Sequence, residues 1–257
     1  MIARVATRII GPLALLTIGL LIWQWRVHAN HTPSWFLPSP RLIGSTLIDD
    51  RRLLLDNAWV TLKEVLAGFA IAVILGVLLA TLIHGSRLFE RALYPIVIAS
   101  QAIPLIALAP LLLVWFGYGP TPKIIVTTLI AFFPITVSTV DGLNSADRET
   151  LDLLRTFGAS RLRQFWMVNV PSALPGFFSG ARIGVAVAVI GAVFGEYVGA
   201  HSGLGYLINV SSARLRTDRV FAAITILAVM AILLFTAVAL LEYRLLRWRR
   251  QVTDPHL

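Results

Sequence analysis

The chain has 257 residues, of which 57% are hydrophobic and only 14% are charged. This composition excludes an ordinary water-soluble domain, and the absence of cysteine excludes disulfides and thiolate metal sites. The formal net charge is +9, and because the arginines cluster at the ends of apolar stretches, this charge indicates a membrane surface rather than nucleic acid.

Six apolar stretches follow one another along the chain. A helix needs about 20 predominantly apolar residues to cross the hydrocarbon core of a bilayer. We therefore predict an all-α, polytopic membrane protein with six transmembrane helices. The predicted spans are about Ile9–Trp25, Val60–Ile83, Ala92–Phe116, Ile124–Val140, Phe177–Gly199 and Val220–Leu241.

The first stretch has two interpretations. Arg4 and Arg8, followed by an apolar run, are typical of a cleavable signal peptide. Trp23 and Trp25 are too large to be typical of the residues before a cleavage site, whereas tryptophan is common at the membrane interface. We therefore expect a retained first helix.

The segment His28–Asn57 separates the first two spans. Three prolines in TPSWFLPSP, residues 32–40, predict irregular or extended backbone. We expect Ser45–Asn57 to form a short helix at the membrane surface. The chain is accordingly divided into residues 1–57, the first helix with its extracytoplasmic segment, and residues 58–257, the membrane core.

The third span carries two candidates for a translocation path. Gln101 lies near Pro104, where the helix is expected to bend. Its amide either binds a transported solute or forms a hydrogen bond with a neighbouring helix, and we favour the second role. Trp115 is the other candidate, although its position is typical of an interfacial aromatic belt.

The connection between the fourth and fifth spans has a basic, amphipathic pattern. It reads ETLDLLRTFGASRLRQFWMVNVPSALPGFFSG, residues 149–180, with apolar residues at helical intervals. Gly158 predicts a bend between two short helices, and Pro171 and Pro175 are expected to stop regular helix before the fifth span. The connection is either a helix pair at the membrane surface or a docking surface for a soluble partner.

Glu196 is the one carboxylate that we place inside an apolar span. Intramembrane ionisable residues are functional candidates, so Glu196 is a candidate for the translocation path. An equally favoured interpretation is that Glu196 has a structural role, in which its side chain reaches water at the interface or pairs with Arg214. Small residues in the fifth span predict close helix packing, either between two copies or within the chain, at Gly184, Gly191, Gly195 and Gly199.

The distribution of arginine predicts the orientation in the membrane. With the N-terminus in the cytoplasm, the inside segments carry Arg4 and Arg8, then Arg87 and Arg91, then Arg148, Arg155, Arg161 and Arg163. The C-terminal segment is the clearest part of this bias, with Arg244, Arg247, Arg249 and Arg250. We predict that both termini and residues 144–176 lie in the cytoplasm.

Other classes of function lack their usual motifs. Neither Lys63 nor Lys123 follows a glycine, so the chain has no G-K-[ST] loop for nucleotide phosphates. The five histidines are scattered and form no H-E-x-x-H motif, so we expect neither a metal centre nor an enzyme. An ion-coupled secondary transporter is the alternative, although it would be expected to show more intramembrane charge and inverted repeats.

The basic connection resembles the coupling loop of ABC-importer permeases, the EAA loop. That pattern is Glu-Ala-Ala, three residues, Gly, nine residues and Ile-x-Leu-Pro. With its glycine on Gly158, the two ends fall on 152–154 and 168–171, where Asp replaces Glu, two leucines replace the alanines, and valines replace Ile and Leu. The resemblance implies that the ATPase-coupling residues are Asp152, Leu153, Leu154, Gly158, Ala159, Leu162, Phe165, Val168 and Pro171.

Further motifs resemble one subgroup, the permeases of sulfonate, taurine, nitrate and thiamin-pyrimidine importers. They are LPSPRLIGSTL, QAIPLIALAPLLLVWFGYGPTPKI, FFPITVSTVDGL and GEYVGAHSGLGYLI, in this order from Leu37 onward. The resemblance implies the MetI-like fold of type I ABC importers in a bacterial inner membrane. It also implies a non-catalytic chain without its own cofactor.

The same resemblance implies a set of partners. These are ATPase subunits that carry Mg-ATP, a second permease copy, most simply an identical one, and a periplasmic or lipid-anchored binding protein. Membrane lipids surround the complex, and no nucleic acid is involved. The expected solute is small and polar or anionic: we favour a thiamin pyrimidine precursor or a related heterocycle, with sulfonates, taurine and nitrate as alternatives.

Overall fold

The computed structural model describes residues 2–246, and within this range it describes all side chains except those of residues 2–10, 12, 13, 105 and 106. This part of the chain is all-α. Its helices are α1 (Ile2–Ala29), α2 (Pro40–Asp49), α3 (Arg51–Gly85), α4 (Arg87–Ser100), α5 (Leu105–Phe116), α6 (Pro120–Asn144), α7 (Arg148–Thr156), α8 (Arg161–Gln164), a π-helical turn (Phe165–Asn169), α9 (Val170–Gly199), α10 (Leu204–Ala213) and α11 (Thr217–Leu245).

Four helical stretches of the described chain are long and apolar enough to cross a membrane. They are Arg51–Gly85, Pro120–Asn144, Arg161–Gly199 and Thr217–Leu245. These contain the predicted second, fourth, fifth and sixth spans. The first predicted span lies within α1, and the total of six spans stays a prediction.

The chain that precedes the core differs from the prediction in one respect. The prediction of one short helix over Ser45–Asn57 is wrong, because α2 ends at Asp49 and α3 begins at Arg51. The 35 residues of α3 extend over roughly 52 Å at about 1.5 Å per residue, well beyond the ~30 Å of a hydrocarbon core. The helix is therefore longer than a hydrocarbon core is thick, and the division of the chain at residue 57 falls inside it.

The third predicted span is not one helix. Residues 101–104 separate α4 from α5, and Pro104 precedes the first residue of α5. Proline has no N–H to donate and disfavours helical backbone at the preceding residue, so the chain breaks here rather than bending. The prediction of a continuous helix over Ala92–Phe116 is therefore wrong.

The centre of the molecule is the packing of α6 against α9. A Cβ atom added at Gly176 would lie 2.5 Å from the carbonyl oxygen of Ser138, and one at Gly180 would lie 2.5 Å from that of Pro134. Only glycine permits this approach of the two backbones. Gly184, Gly191 and Gly195 face α6 in the same way. The small residues of the fifth span thus form a contact within the chain.

An ionic cluster joins α2 to the start of α11. Arg219 Nε lies 2.8 Å from Asp50 Oδ2, and Thr46 Oγ1 donates to Asp218 Oδ2 at 3.0 Å. Arg216 also binds Asp218, and this hydrogen bond raises the pKa of the Arg216 guanidinium. The cluster holds the segment before α3 against the membrane core.

The C-terminal arginines at 247, 249 and 250, which contribute to the predicted orientation, lie outside the described residues.

Candidate functional site

The connection between α6 and α9, residues 145–169, begins with a capped helix. The Asp147 carboxylate accepts hydrogen bonds from the backbone N–H groups of Glu149 and Thr150, at 3.3 and 3.0 Å. The Thr150 hydroxyl also donates to it, and these bonds lower the pKa of Asp147, with the hydroxyl contributing most. An acidic N-cap satisfies the free N–H groups of the first turn, so α7 has a defined start.

Gly158 makes the bend that the sequence predicts. Its φ is +77°, a left-handed conformation that glycine adopts without strain. Two backbone bonds close the end of α7: Ala159 N–H donates to the Leu154 carbonyl at 3.0 Å, and Gly158 N–H donates to that of Arg155 at 2.9 Å. This is the Schellman arrangement of a helix C-terminus. The Ser160 hydroxyl then caps α8, so the bend is rigid.

The entry into α9 differs from the prediction. Pro171 and Pro175 do not stop the helix, because α9 begins at Val170 and contains both. Pro171 is the second residue of α9, and its fixed φ is compatible with a helix. The π-helical turn precedes it directly, and such turns are frequent at functional sites. The connection is therefore joined to α9 without a flexible linker.

Large apolar side chains of the connection are exposed. We define the exposed apolar set as Leu153, Phe157, Leu162, Trp166 and Met167, whose exposed fractions run from 54% to 79%. Phe157, Trp166 and Met167 were not among the predicted coupling residues. By contrast, Leu154, Ala159, Phe165 and Val168 are half-buried. Apolar residues exposed together on a defined framework mark a surface that contacts a partner or a membrane.

Asp152, the acidic position of the predicted motif, is exposed. It forms an ion pair with Arg155 at 2.7 Å, one helical turn away, and both side chains are about two-thirds exposed. Exposed pairs of this kind contribute little to stability. Both charges therefore remain accessible to a partner.

Glu196 is fully buried rather than at an interface. Its Oε1 accepts from the Thr61 hydroxyl at 2.7 Å, and its Oε2 accepts from Gly205 N–H at 2.6 Å. Arg214 is not its partner, so the alternative of an ion pair between them is wrong. Glu196 instead ties the end of α9 to α3 and to the start of α10.

The polar face of α3 completes this arrangement. Asn57 accepts from Gly203 N–H at 2.8 Å, and Thr61 accepts from Leu204 N–H at 2.9 Å. Together with Glu64 these residues recur at intervals of four and three, so they share one side of the helix. This spacing was the signal in the sequence that could have identified the buried polar face.

A second buried carboxylate was missed by the sequence analysis. Glu64, on α3, is 4% exposed and pairs with Lys123, which is 6% exposed at the start of α6. The expectation that Glu196 is the one carboxylate within an apolar span is therefore wrong. Lys123, which lies between the third and fourth predicted spans, is an interior residue.

The three candidates for the translocation path are not brought together. Gln101 is exposed between α4 and α5, and Trp115 is 69% exposed near the end of α5, whereas Glu196 is buried. A cavity of about 250 Å³ lies elsewhere, among α3, α6, the π-helical turn and α9, and its walls are almost wholly apolar. No group of His, Asp and Glu residues within the described range is arranged to hold a metal ion.

Comparison with known proteins places this architecture in a family. Residues 72–249 match the model of the binding-protein-dependent transport system inner membrane component. The chain is 42% identical to the formylaminopyrimidine transport permease protein ThiX of Halalkalibacterium halodurans, over 93% of this chain and 96% of that one. It is 32% identical to the taurine transport system permease protein TauC of Escherichia coli, over 98% and 93%.

A solved structure supports the fold independently. The MetNI methionine ABC transporter, in an inward-facing conformation, contains a chain that superposes with a TM-score of 0.66 at 22% identity. The match covers 76% of this chain and 96% of that one. The MetI-like fold expected from the sequence is thereby confirmed. With its apolar helices, its family match and its relatives, the chain belongs to the inner-membrane components of binding-protein-dependent transport systems, the multi-pass permeases of ABC importers for small solutes.

Proposed function

We propose that this permease receives the movement of a separate ATPase through the α6–α9 connection and forms the translocation path with a second copy of itself. One observation carries the coupling role: the exposed apolar set stands on α7, α8, the bend between them and the π-helical turn, and hydrogen bonds fix both ends of α7 and the bend. A rigid element can transmit a displacement, whereas a flexible loop absorbs it.

The residues of the connection divide into two roles under this proposal. Leu153 and Leu162 enter a groove of the ATPase, and Asp152 binds a basic group there, because all three are exposed. Gly158 and Ala159 fix the angle between the helices. The half-buried Leu154, Phe165 and Val168, with Pro171, anchor the connection to the membrane helices.

The proposed assembly has the connection and both chain termini in the cytoplasm. The ATPase, rather than the permease, binds Mg-ATP. A binding protein delivers the solute to the opposite side, where α2 and α10 lie. The permease itself catalyses no reaction.

For the solute, we favour a thiamin pyrimidine precursor or a related heterocycle. The support is the higher identity to the formylaminopyrimidine permease, 42%, than to the taurine permease, 32%. Uptake by vesicles that contain the complete importer, with competition by a formylaminopyrimidine and by taurine, tests this assignment. Competition by taurine alone would contradict it.

The coupling role is tested by charging the exposed apolar set. Leu162→Glu, at a side chain 68% exposed, should abolish co-purification of the ATPase in detergent, because a carboxylate would have to be buried in the groove. Ile48→Glu, at a side chain 64% exposed on α2, is the matched control and should retain the ATPase.

Detergent removes the bilayer, so this assay separates docking from membrane anchoring. Full retention of the ATPase by Leu162→Glu would overturn the docking role of the connection. Solute uptake without ATP, driven by an ion gradient, would contradict the importer mechanism as a whole.

A further inference from the structure

Three polar side chains from separate elements meet where the connection enters α9. His84 lies in the last turn of α3, Asn144 is the last residue of α6, and Asn169 is the last residue of the π-helical turn. His84 Nδ1 lies 2.8 Å from Asn144 Oδ1, and His84 Nε2 lies 3.1 Å from Asn169 Nδ2. The imidazole therefore bridges the two amides.

The hydrogen bonds determine which imidazole nitrogen carries the proton. Asn169 Nδ2 also donates to the Leu143 carbonyl at 3.3 Å, which fixes the orientation of this amide. Because an amide nitrogen has no lone pair to offer, Nε2 of His84 must accept. Nδ1 then carries the hydrogen and donates to Asn144. Only a neutral imidazole with the proton on Nδ1 satisfies both contacts.

The surroundings hold this bridge in place. Asn169 is 6% exposed, so its amide depends on protein partners rather than on water. The ring of Phe165 lies beside the imidazole, with centroids 6.2 Å apart. Phe165 in turn packs on the apolar cluster that contains Ala80 and Ile83 of α3 and Leu143 of α6. The π-helical turn and the end of α3 are therefore joined by a hydrogen bond and by apolar packing.

We propose that His84 is a positioning residue that transmits movement of the connection to α3. The inference rests on the proposed coupling role. The connection is covalently continuous with α6 and α9, whereas α3 lies 85 residues away from Asn169 in sequence. Movement can reach α3 only through non-covalent contacts, and the bridge supplies a directional one. Because α3 also carries the polar face that binds Glu196 and residues 203–204, the bridge links the coupling side to the opposite end of the membrane core.

The test compares two substitutions of His84 in the complete importer, reconstituted with its ATPase and binding protein. His84→Phe keeps the ring but removes both hydrogen bonds, whereas His84→Gln retains one donor and one acceptor. Solute transported per ATP hydrolysed should fall in His84→Phe by about twofold to thirtyfold, the effect expected for a residue within a coupling network. It should recover in His84→Gln. Co-purification of the ATPase should stay at the wild-type level in both.

A second variant keeps the inference testable if His84→Phe does not fold. Asn169→Leu removes the bond between Asn169 and His84 from the other side, and the double variant His84→Phe/Asn169→Leu should be no worse than His84→Phe alone, because that variant has already lost this bond. Additive losses would overturn the bridge, as would wild-type coupling in both single variants. These failures differ from failure of the proposed function, which appears as retention of the ATPase by Leu162→Glu.

Discussion

At the scale of single residues, the ionisable side chains in the interior are the most consequential. Removing one partner of a buried ion pair leaves an uncompensated charge, whereas replacing both partners by apolar residues is often neutral. Glu64 and Lys123 form such a pair between α3 and α6. Lys123 Nζ contacts Glu64 Oε1, and this is the one salt bridge that either side chain forms within the described chain.

Lys123→Met should therefore lower the free energy of unfolding by about 3–5 kcal/mol, because it leaves the Glu64 carboxylate buried and unpaired. Glu64→Leu combined with Lys123→Met should restore most of this loss. Thermal unfolding of the purified protein in detergent measures both. A double variant as unstable as Lys123→Met would show that the pair contributes more than mutual neutralisation.

At the scale of single elements, α7 illustrates how local chemistry defines a helix. Its start is fixed by Asp147 and its end by Gly158, and both signals lie within a few residues of the positions that they control. The same element carries the predicted acidic position of the motif, Asp152, and exposes Leu153. Capping therefore orients the side chains that we assign to ATPase docking.

Acid should weaken α7 specifically at its first turn. The pKa of Asp147 lies below its ordinary value of 3.8 because of its hydrogen bonds, so folded α7 binds the proton less readily than the unfolded segment. The stabilisation is complete above the ordinary pKa and is lost as the pH falls through the lowered one. Asp147→Asn, which caps about equally well but does not titrate, should remove this dependence.

Hydrogen exchange at the amides of Glu149 and Thr150 measures this effect, as a ratio of wild type to Asp147→Asn at each pH. Dividing the two rates cancels the intrinsic pH dependence of exchange. The ratio should rise as the solution becomes acidic. A ratio that stays constant through the acidic range would contradict the assigned cap.

At the scale of the whole molecule, close contact of α6 with α9 is the organising feature. It brings together the two helices that flank the connection, so movement of the connection acts on both at once. The contact is possible because glycines of α9 meet the backbone of α6 directly. The bundle is thus built around a junction of backbones rather than around interlocking large side chains.

Gly180→Ala should destabilise the whole fold. Its Cβ atom would lie 2.5 Å from the Pro134 carbonyl oxygen, so the two helices must separate, at a cost of about 1–3 kcal/mol typical of overpacking. Gly44→Ala is the matched control, since a Cβ atom there meets nothing within 4 Å. Thermal unfolding compares the two. Equal stability of both variants would contradict the described packing.

Local patterns in the sequence determined much of this protein. Hydropathy predicted the membrane class and the spans that became α3, α6, α9 and α11, because a bilayer requires long apolar helices whatever surrounds them. The spacing of Gly158 and Pro171 identified the α6–α9 connection and the family, which the comparisons confirm. Helix caps and glycine bends depend on neighbouring residues, so such features can be predicted without a fold.

Only the tertiary structure decided which side chains meet. Thr61 and Glu196 are 135 residues apart, and Glu64 and Lys123 are 59 apart, so no local pattern pairs them. The same holds for His84 and Asn169, and for the glycines that turned out to face α6. Polar groups inside a membrane protein must find partners wherever the packing of helices places them. Their partners are therefore a property of the assembled bundle, not of the segments that carry them.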